Sequence, residues 1–476
     1  MPDFLQLSIL FLMKIHSSTT LFLGGLITVL SLMFSPIQGA QSETPPNIVF
    51  IMVDDLGYGD LSSYGAPDLK TPNIDALFAS GMRFDQFYAN CPVCSPTRAA
   101  FLSGLYPDMA GVPGVVRTQV PGRPSNNWGD LSDDIILLPA LLKKANYHSA
   151  LIGKWHLGLK KPDRPTDRGF DHFHGFLGDM MDDYYTHLRH GNNYMRINEK
   201  TIDPKGHATD LFSDWAIDYL TDRATNHKDQ PFFLYLAYNA PHTPIQPPAD
   251  WLAKVTAREK GISEKRAKMC AFIEHLDHGT GRVLDALKKL KLTDNTLIVF
   301  TSDNGGHVAA GARNAPLHGG KQEMWEGGIR VCTAVSWPGK ITPGARSPHR
   351  SLTMDFYPTL AQIAGAPVEH KIDGRSFLPV LYGKPFTETR PEQVWMRLEG
   401  GRKYGGLLYH AIRIGDWKLL RNTPFEPYQM FDIANDPAEE NPIPMNKAPK
   451  KYNELFNQLS IHINRAGRIP WQREQE

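Results

Sequence analysis

The sequence contains little cysteine and almost no net charge. Its 476 residues include four cysteines, Cys91, Cys94, Cys270 and Cys332. So few cysteines exclude a small scaffold held together by disulfides, although any pairing among them stays open. The 51 basic and 50 acidic residues give a net charge of +1. Bulk charge therefore gives no reason to expect nucleic acid as a partner, and any anion must be bound by a local site.

Internal repeats and low-complexity tracts are also lacking, which excludes solenoid architectures. A chain of 476 residues is too long to fold around one small hydrophobic core. It is typical of one large α/β domain with a smaller companion domain.

The N-terminal segment has the order of a secretory signal. Lys14 precedes an apolar run at residues 21–34, and small residues end at Ala40. The run is short for a membrane span, and polar residues follow it. We therefore expect residues 1–40 to be a signal peptide, with residues 1–12 as an extension ahead of the true start. The mature protein would then be periplasmic, secreted or, in a eukaryote, lysosomal, without stable membrane insertion; an uncleaved N-terminal anchor is the alternative.

One pentapeptide, Cys94-Ser-Pro-Thr-Arg98, places a thiol and a cation at the start of a predicted helix. Pro96 suits the first turn of a helix, and Gly104 is suited to end it. Free amide groups at a helix N-terminus favour an anion, and Arg98 lies about one turn further along on the same side. A Cys91-x-x-Cys94 redox pair or half of a zinc site is the alternative, but no second pair of ligands supports it.

Oxygen ligands follow two predicted buried strands. Asp54 and Asp55 come directly after the apolar strand 47–53, and Asp303 and Asn304 follow the strand 296–301. The carboxyl ends of strands are where α/β sheets place ligands, and adjacent carboxylates repel each other unless a cation holds them. Calcium or magnesium suits such a set. The alternative is a solvated turn at each place.

Cationic and imidazole side chains follow other predicted strands. Lys154 and His156 follow the strand 147–152, and strand alternation predicts that they lie on one side. His242 follows the strand 231–238 in the same way. A lysine is a compact cation for an oxyanion, and a histidine can move protons near neutral pH.

A segment of weak periodicity, residues 162–210, is rich in Gly, Asp, His and Tyr. We expect long loops over the site there, although a merely irregular connection is the alternative. The candidate substrate contacts are Asp179, Asp182, Asp183, Tyr184 and His187.

The C-terminal region changes pattern. Residues 409–414, 417–421 and 428–433 are typical of antiparallel strands, and residues 450–463 of a closing helix. The fold class is therefore α/β: a large domain at residues 45–370 with a central, mostly parallel sheet flanked by helices, and a smaller C-terminal α+β domain at 385–476 with an antiparallel sheet.

The pentapeptide and the hexapeptide Gly153-Lys-Trp-His-Leu-Gly158 resemble the two signatures of the type I sulfatases, of the alkaline phosphatase superfamily. The resemblance implies an alkaline-phosphatase-like large domain. It also implies that a separate formylglycine-generating enzyme oxidises Cys94 to formylglycine, whose hydrate is the nucleophile. The stretch from His318 to Arg330 is most similar to the branch that acts on 6-sulfated galactosamine, alongside arylsulfatase-like members. The implied substrate is a sulfated saccharide or another sulfate ester.

The resemblance assigns a role to each matched residue. Calcium would be held by Asp54, Asp55, Cys94 in its oxidised form, Asp303 and Asn304. The catalytic group would be Cys94, Arg98, Lys154, His156, His242 and Lys321. Arg98 and Lys154 would stabilise charge on the hydrate and the sulfate. His242 and Lys321 would bind the sulfate, and one of them would assist protonation of the leaving oxygen. His156 would take a proton during sulfate release.

Two other classes of protein remain alternatives. A phosphoesterase or phosphonate hydrolase can share the fold, but such enzymes use more histidine ligands than this set offers. A non-catalytic protein that binds sulfated glycans is the second, and the intact Cys94, Arg98 and Lys154 argue against it.

Overall fold

The computed structural model describes residues 45–120, 129–386, 390–399 and 407–469. The predicted signal peptide at residues 1–40 lies outside this part of the chain. Within the described residues, no helix combines the length and apolar character needed to cross a bilayer.

Strands run through the whole described chain. They are β1 Asn47–Val53, β2 Met82–Tyr88, β3 His148–Lys154, β4 His172–Phe176, β5 Leu188–Arg189, β6 Asn192–Asn193, β7 Met195–Ile197, β8 Lys200–Thr201, β9 Phe232–Ala237, β10 Thr296–Ser302, β11 Thr333–Ser336, β12 Ala345–Leu352, β13 Glu392–Glu399, β14 Leu407–Ile414, β15 Trp417–Arg421 and β16 Gln429–Asp432.

Helices alternate with the strands in the first part of the chain. They are α1 Pro72–Ala79, α2 Cys94–Ser103, α3 Leu138–Lys143, α4 Ala208–Asn226, α5 Ala249–Arg258, α6 Glu264–Lys289, α7 Glu326–Ile329, α8 Phe356–Ile363, α9 Leu378–Leu381 and α10 Pro449–Ala466.

The large sheet has ten strands in the order β12-β2-β11-β10-β1-β9-β3-β4-β7-β8. Strand β1 is central, and it pairs in parallel with both β9 and β10. Strand β3 is parallel to β9 and β4. The carboxyl ends of β1, β3, β9 and β10 therefore meet along one edge, and the segments that follow them come together there.

Alternating residues of β1 divide the core into two layers. Ile48, Phe50 and Met52 pack on one face with residues of α2, α3 and α8. Val49 and Ile51 pack on the other face with residues of α1, α4 and α6. A strand that buries both faces under helices has a continuous apolar sequence, which is why the run at 47–53 identified it. The predicted large α/β sheet is confirmed.

The small sheet is antiparallel in the order β13-β14-β15-β16, with α10 packed against it. The predicted antiparallel C-terminal sheet is confirmed, but the strand β13 at its edge was not predicted. A third apolar cluster lies here and includes Trp395 of β13 and Tyr88 of β2. The indole Nε1 of Trp395 donates to the carbonyl oxygen of Ala89 at 2.8 Å.

One local prediction was wrong. The segment 162–210 contains β4, which extends the large sheet, and the short strands β5 to β8. Helix α8 begins at Phe356, after a 3-10 turn at Thr353–Asp355 in which the Asp355 carboxylate accepts from the Leu352 amide at 2.8 Å.

Candidate active site

The two aspartates after β1 are buried at the carboxyl edge of the large sheet. Asp54 is fully buried, and its amide donates to the carbonyl oxygen of Ala240 at 3.1 Å. The amide of Asp303 donates to the carbonyl oxygen of Val53 at 3.1 Å, which fixes the segment after β10 beside that after β1. Asp55 has a positive φ of 69°, so the chain turns sharply here and directs adjacent carboxylates to different neighbours.

Cys94 opens helix α2 and reaches the same place. Val93 is the N-cap in an extended conformation, and Gly104 ends the helix at φ 69°, as the sequence predicted. Ligand atoms of Cys94, Asp54 and Asp303 lie within 4.8 Å of one another. Burial raises the pKa of the Cys94 thiol to about 11. The unmodified side chain is therefore a protonated thiol near neutral pH and a poor nucleophile.

Arg98 lies one turn further along α2 and is fully buried. Its Nε and Nη2 donate to Asp303 Oδ2 at 3.0 and 2.8 Å. Its Nη1 donates to the carbonyl oxygen of Lys154 at 3.2 Å and to the Tyr235 hydroxyl at 3.4 Å. These contacts fix the guanidinium, so its charge faces the site in one orientation.

Two lysines complete the cationic side of the site. Lys154, the last residue of β3, donates through Nζ to Asp54 Oδ2. Lys321 donates through Nζ to Asp55 Oδ2 at 2.7 Å. Burial opposes the charge of Lys321, but the Asp55 carboxylate raises the pKa of this lysine above its usual value. Lys321 is therefore a cation beside the carboxylate cluster, and Lys154 forms a buried ion pair with Asp54.

The carboxylate cluster fits a hard divalent cation. Asp54 Oδ1 and Asn304 Oδ1 are buried without a hydrogen-bond partner. Burial and the neighbouring charge of Asp54 raise the pKa of Asp303 to about 7. A cation would relieve both this repulsion and the unpaired oxygens, and oxygen donors of this kind are those that calcium and magnesium take. The residues present therefore fit the predicted metal.

His156 lies beyond β3 at a positive φ of 65°, so strand alternation does not place it. His156 Nε2 lies 2.8 Å from the carbonyl oxygen of Val116. A carbonyl only accepts, so Nε2 carries the proton and Nδ1, buried without a partner, holds the lone pair. Burial, then Lys154 and Arg98, hold the pKa of His156 well below its usual value.

His242 follows β9 and faces the same cluster. Its Nε2 lies 3.7 Å from Asp55 Oδ2, and its Nδ1 lies 2.7 Å from the carbonyl oxygen of Thr243. Nδ1 therefore carries a proton in the neutral ring, and Nε2 points toward the site. Burial, then Lys321, lower the pKa of His242. The Tyr184 hydroxyl lies 2.9 Å from the carbonyl oxygens of both Asn239 and His242, which holds this loop.

Of the other loop residues predicted to contact substrate, one lines the cleft and three stabilise the loop itself. Asp179 lines the cleft. Asp182 pairs with Arg189 at 2.8 Å, and Asp183 accepts from the amides of residues 185 and 186, so both organise the loop. His187 Nε2 donates to the carbonyl oxygen of Gly206 at 3.0 Å.

A cleft of about 260 Å³ opens beside Cys94. Lys321 and Gln322 also line an adjoining cavity of about 700 Å³, so the two spaces are neighbours. Several polar residues of the cleft were missed by sequence reasoning: Arg117, Arg189, His307, Gln322 and Arg397. They lie outside the segments that follow buried strands, which is the signal that found the others.

All four cysteines lie within the described residues, and all four are free and buried. The Cys91 thiol donates to the carbonyl oxygen of Met396 at 3.4 Å. Burial raises the pKa values of Cys91 and Cys332 and raises that of Cys270 to about 12. The alternative of a Cys91–Cys94 redox disulfide therefore gains no support.

The chain is similar to known sulfatases along most of its length. Residues 46–366 match the family model described as Sulfatase, and residues 318–467 match the model for the N-sulphoglucosamine sulphohydrolase C-terminal region. N-acetylgalactosamine-6-sulfatase of Homo sapiens is 35% identical over 360 residues, which cover 71% of this chain and 66% of that protein. The matched part thus spans about two thirds of the length of that relative.

Two further relatives extend the comparison. Steryl-sulfatase of Homo sapiens is 28% identical over 529 residues, covering 87% of each chain. The crystal structure of Ps i-CgsB in complex with k-i-k-neocarrahexaose is 34% identical, with a TM-score of 0.78 over 87% of this chain and 92% of that one. The chain therefore belongs to the sulfatase family, a family of sulfuric ester hydrolases.

Proposed function

We propose that this sulfatase hydrolyses a sulfate ester of a carbohydrate, with formylglycine made from Cys94 as the nucleophilic residue and with one calcium ion. The names of two relatives support a saccharide substrate, an N-acetylgalactosamine-6-sulfatase and a protein solved with k-i-k-neocarrahexaose. Export after removal of residues 1–40, maturation by a formylglycine-generating enzyme, and domains at 45–370 and 385–476 are parts of the same proposal.

One observation carries this proposal: the thiol at Cys94 opens a helix and lies within 4.8 Å of two buried carboxylates, with Arg98 beside them. A thiol whose pKa is raised to about 11 by burial is unsuited to act as it stands. The arrangement is better suited to a modified side chain that binds a cation and presents an oxygen.

Three cationic side chains of the site are placed to offset the negative charge of the sulfuryl group. Arg98 of α2, Lys154 of β3 and Lys321 of the segment before α7 converge on the site, and each is held by a carboxylate. Their fixed positions mean that little reorganisation is needed as charge develops on the sulfuryl oxygens.

Calcium would be held by Asp54, Asp55, Asp303 and Asn304 together with residue 94, and would supply Lewis-acid stabilisation of sulfuryl charge. The chain's own task at this place is to keep four oxygen-bearing side chains at the ends of β1 and β10. Asp55 also orients Lys321, and Asp303 orients Arg98.

Proton movements fall to the two histidines and one lysine. The reaction consumes water, breaks the sulfur–oxygen bond of the ester, and yields an alcohol, sulfate and a proton. The alcohol oxygen needs a proton as it leaves. Lys321 Nζ carries a proton beside Asp55, whereas His242 could donate from Nε2 only as a doubly protonated imidazolium, because Nδ1 holds the proton of the neutral ring. His156 Nδ1, with its lone pair, is suited to take the proton that must be removed before sulfate departs.

The test is an activity screen of protein coexpressed with a formylglycine-generating enzyme. We expect hydrolysis of nitrophenyl sulfate and of at least one defined sulfated saccharide, with the desulfated position read by NMR. Turnover of phosphate or phosphonate monoesters in preference to sulfates would favour the phosphoesterase alternative. Saccharide binding without any turnover would favour a non-catalytic glycan-binding protein.

A further inference from the structure

We propose that the cleft binds a second anionic substituent of the same saccharide through Arg117, Arg189 and Arg397. This inference rests on the proposed function, and it narrows the substrate to saccharides that carry a sulfate or carboxylate besides the sulfate that is cleaved.

The three arginines reach the cleft from separate parts of the chain. Arg117 follows Val116, whose carbonyl oxygen holds His156. Arg189 belongs to the short strand β5, and Arg397 to β13 of the small sheet. All three line the cleft that Cys94 also lines. Convergence of three guanidinium groups from distant segments beside the reacting residue is the observation that carries the proposal.

A buried carboxylate holds two of these arginines. Glu399 Oε2 accepts from Arg117 Nη2 at 3.0 Å, and Glu399 Oε1 accepts from Arg397 Nε and Nη2 at 3.3 and 3.2 Å. Arg397 Nη1 also donates to the carbonyl oxygen of Gln322 at 2.7 Å. The Glu399 side chain is 3% exposed, whereas that of Arg117 is 27% exposed. The cation is therefore the more accessible partner of this pair.

A second carboxylate holds the third arginine. Asp179 accepts from Arg189 Nε at 3.0 Å and Nη2 at 3.2 Å, and also from the Thr118 hydroxyl at 2.7 Å. Arg189 is 15% exposed and Asp179 only 6%. Because Thr118 is the neighbour of Arg117, the two ion-pair groups lie side by side. They form one preorganised wall rather than isolated surface pairs.

The three arginines are additional to the cations that the cleaved sulfate requires. A sulfate monoester carries a single negative charge, and Arg98, Lys154 and Lys321 already face its place. Among the described residues that line the cleft, Arg117, Arg189, Arg397 and Lys321 are cationic and Asp179 is acidic. Glu399 and Asp182 also pair with these arginines, so the wall is a set of held guanidinium groups rather than an excess of positive charge. The whole chain has a net charge of +1, so a generally basic surface does not explain why three guanidinium groups meet at this cleft. Guanidinium forks match sulfate and carboxylate oxygens in geometry.

The test compares substrates that differ only in a second anionic group: a monosulfated saccharide, its disulfated counterpart and its uronic acid counterpart. We expect the unaltered protein to show a higher kcat/KM for at least one dianionic substrate than for the monosulfated one. Which of the two is preferred distinguishes a second sulfate from a carboxylate.

Arg117→Ala should lower that ratio of kcat/KM values by about 10-fold or more, as loss of a charge-assisted hydrogen bond to substrate does. Arg117→Lys keeps the charge and should recover part of the preference. Arg346→Ala is the matched control, because Arg346 is an exposed arginine paired with Asp85 at 2.7 Å. That control should leave the ratio unchanged. Thermal melting checks that each variant is folded.

Three results would count against the inference. A ratio near one in the unaltered protein overturns it without any variant. An equal loss of kcat/KM on all substrates in a folded Arg117→Ala protein would mean that the arginines only support the structure of the cleft and do not bind a second anionic group. In both cases turnover of nitrophenyl sulfate leaves the proposed function standing, whereas absence of turnover of every sulfate ester contradicts the proposed function and this inference with it.

Discussion

At the scale of single residues, the chemistry depends on which nitrogen of each histidine holds the proton. The carbonyl oxygen of Val116 fixes the proton of His156 on Nε2, and that of Thr243 fixes the proton of His242 on Nδ1. The two imidazoles therefore present opposite nitrogens to the site. This difference leads to different expected roles in one reaction.

His156→Ala should slow the release of sulfate and spare the first cleavage. A single turnover should then release alcohol in a burst, followed by a slow steady state about 10²–10⁴-fold below the unaltered rate. Rapid quenching with separate detection of alcohol and sulfate measures this. Loss of the burst itself would mean that His156 acts earlier than we propose.

His242→Ala should slow the first cleavage instead. The loss should be larger for a sugar alcohol than for nitrophenol, because a poor leaving group needs protonation more. The comparison requires kcat/KM on both substrates for the same folded variant. Equal loss on the two substrates would leave Lys321 Nζ, 2.7 Å from Asp55 Oδ2, as the leaving-group acid.

Asp54→Ala should abolish calcium-dependent stabilisation as well as turnover. The unaltered protein should melt at a higher temperature in calcium than in a chelator, since a ligand that binds only the folded state stabilises it. The variant should remain folded and show no such shift. Asp85→Ala, which removes a carboxylate paired with Arg346 at the surface, is the control and should keep the shift. A calcium-dependent shift that persists in Asp54→Ala would contradict the proposed ligand set.

At the scale of elements, the end of β3 shows what local sequence can and cannot predict. The strand and its Lys154 follow from the apolar run, because burial on both faces leaves a clear pattern. The direction of His156 does not follow, because it depends on a left-handed bend at φ 65° and on contact with Val116, a residue distant in sequence. The site was predictable where each residue directly follows a buried strand.

Gly153 allows β3 to lie close to β9. It has a φ of 109°, and an added Cβ would lie 2.0 Å from the carbonyl oxygen of Ala237. Gly153→Ala should therefore destabilise the protein by about 3 kcal/mol or more, from both the left-handed φ and the overlap with backbone. Gly191→Ala is the matched control, because Gly191 has a φ of 76° but open space around it.

The control should cost only about 1 kcal/mol, the usual cost of a left-handed non-glycine residue. Urea denaturation of the two variants measures the difference. Equal free energies of unfolding would mean that the close approach of β3 and β9 contributes nothing.

At the scale of the whole molecule, buried charges join the small sheet to Glu326 of α7, which in turn accepts from the hydroxyl of Tyr88 in β2 of the large sheet at 2.8 Å. Lys418 of β15 pairs with Glu326 at 3.0 Å and with Glu439 at 2.7 Å, and all these side chains are fully buried. The sequence predicted β15 but not this contact, because Lys418 and Glu326 are far apart in the chain. The position of Arg397 of β13 at the cleft also could not be predicted, because it depends on contacts between residues far apart in the chain.

Lys418→Met should destabilise the protein by about 3–5 kcal/mol, because it leaves Glu439 buried without its cation and Glu326 with only Arg330, 3.6 Å away, as an ion-pair partner. Lys254→Met is the control, since Lys254 pairs with Asp250 at 3.2 Å on an exposed helix face. The control should change the free energy of unfolding by less than about 1 kcal/mol. A Lys418→Met protein as stable as the control would show that this network does not hold the two sheets together.

The central claim is that residue 94 works as formylglycine and not as cysteine. Mass spectrometry of the tryptic peptide from Phe84 to Arg98 tests it, on protein preparations with different extents of maturation. We expect the sulfatase activity of each preparation to rise in proportion to the fraction of peptide that has an aldehyde at residue 94. A fully active preparation whose peptide retains the Cys94 thiol would contradict the account.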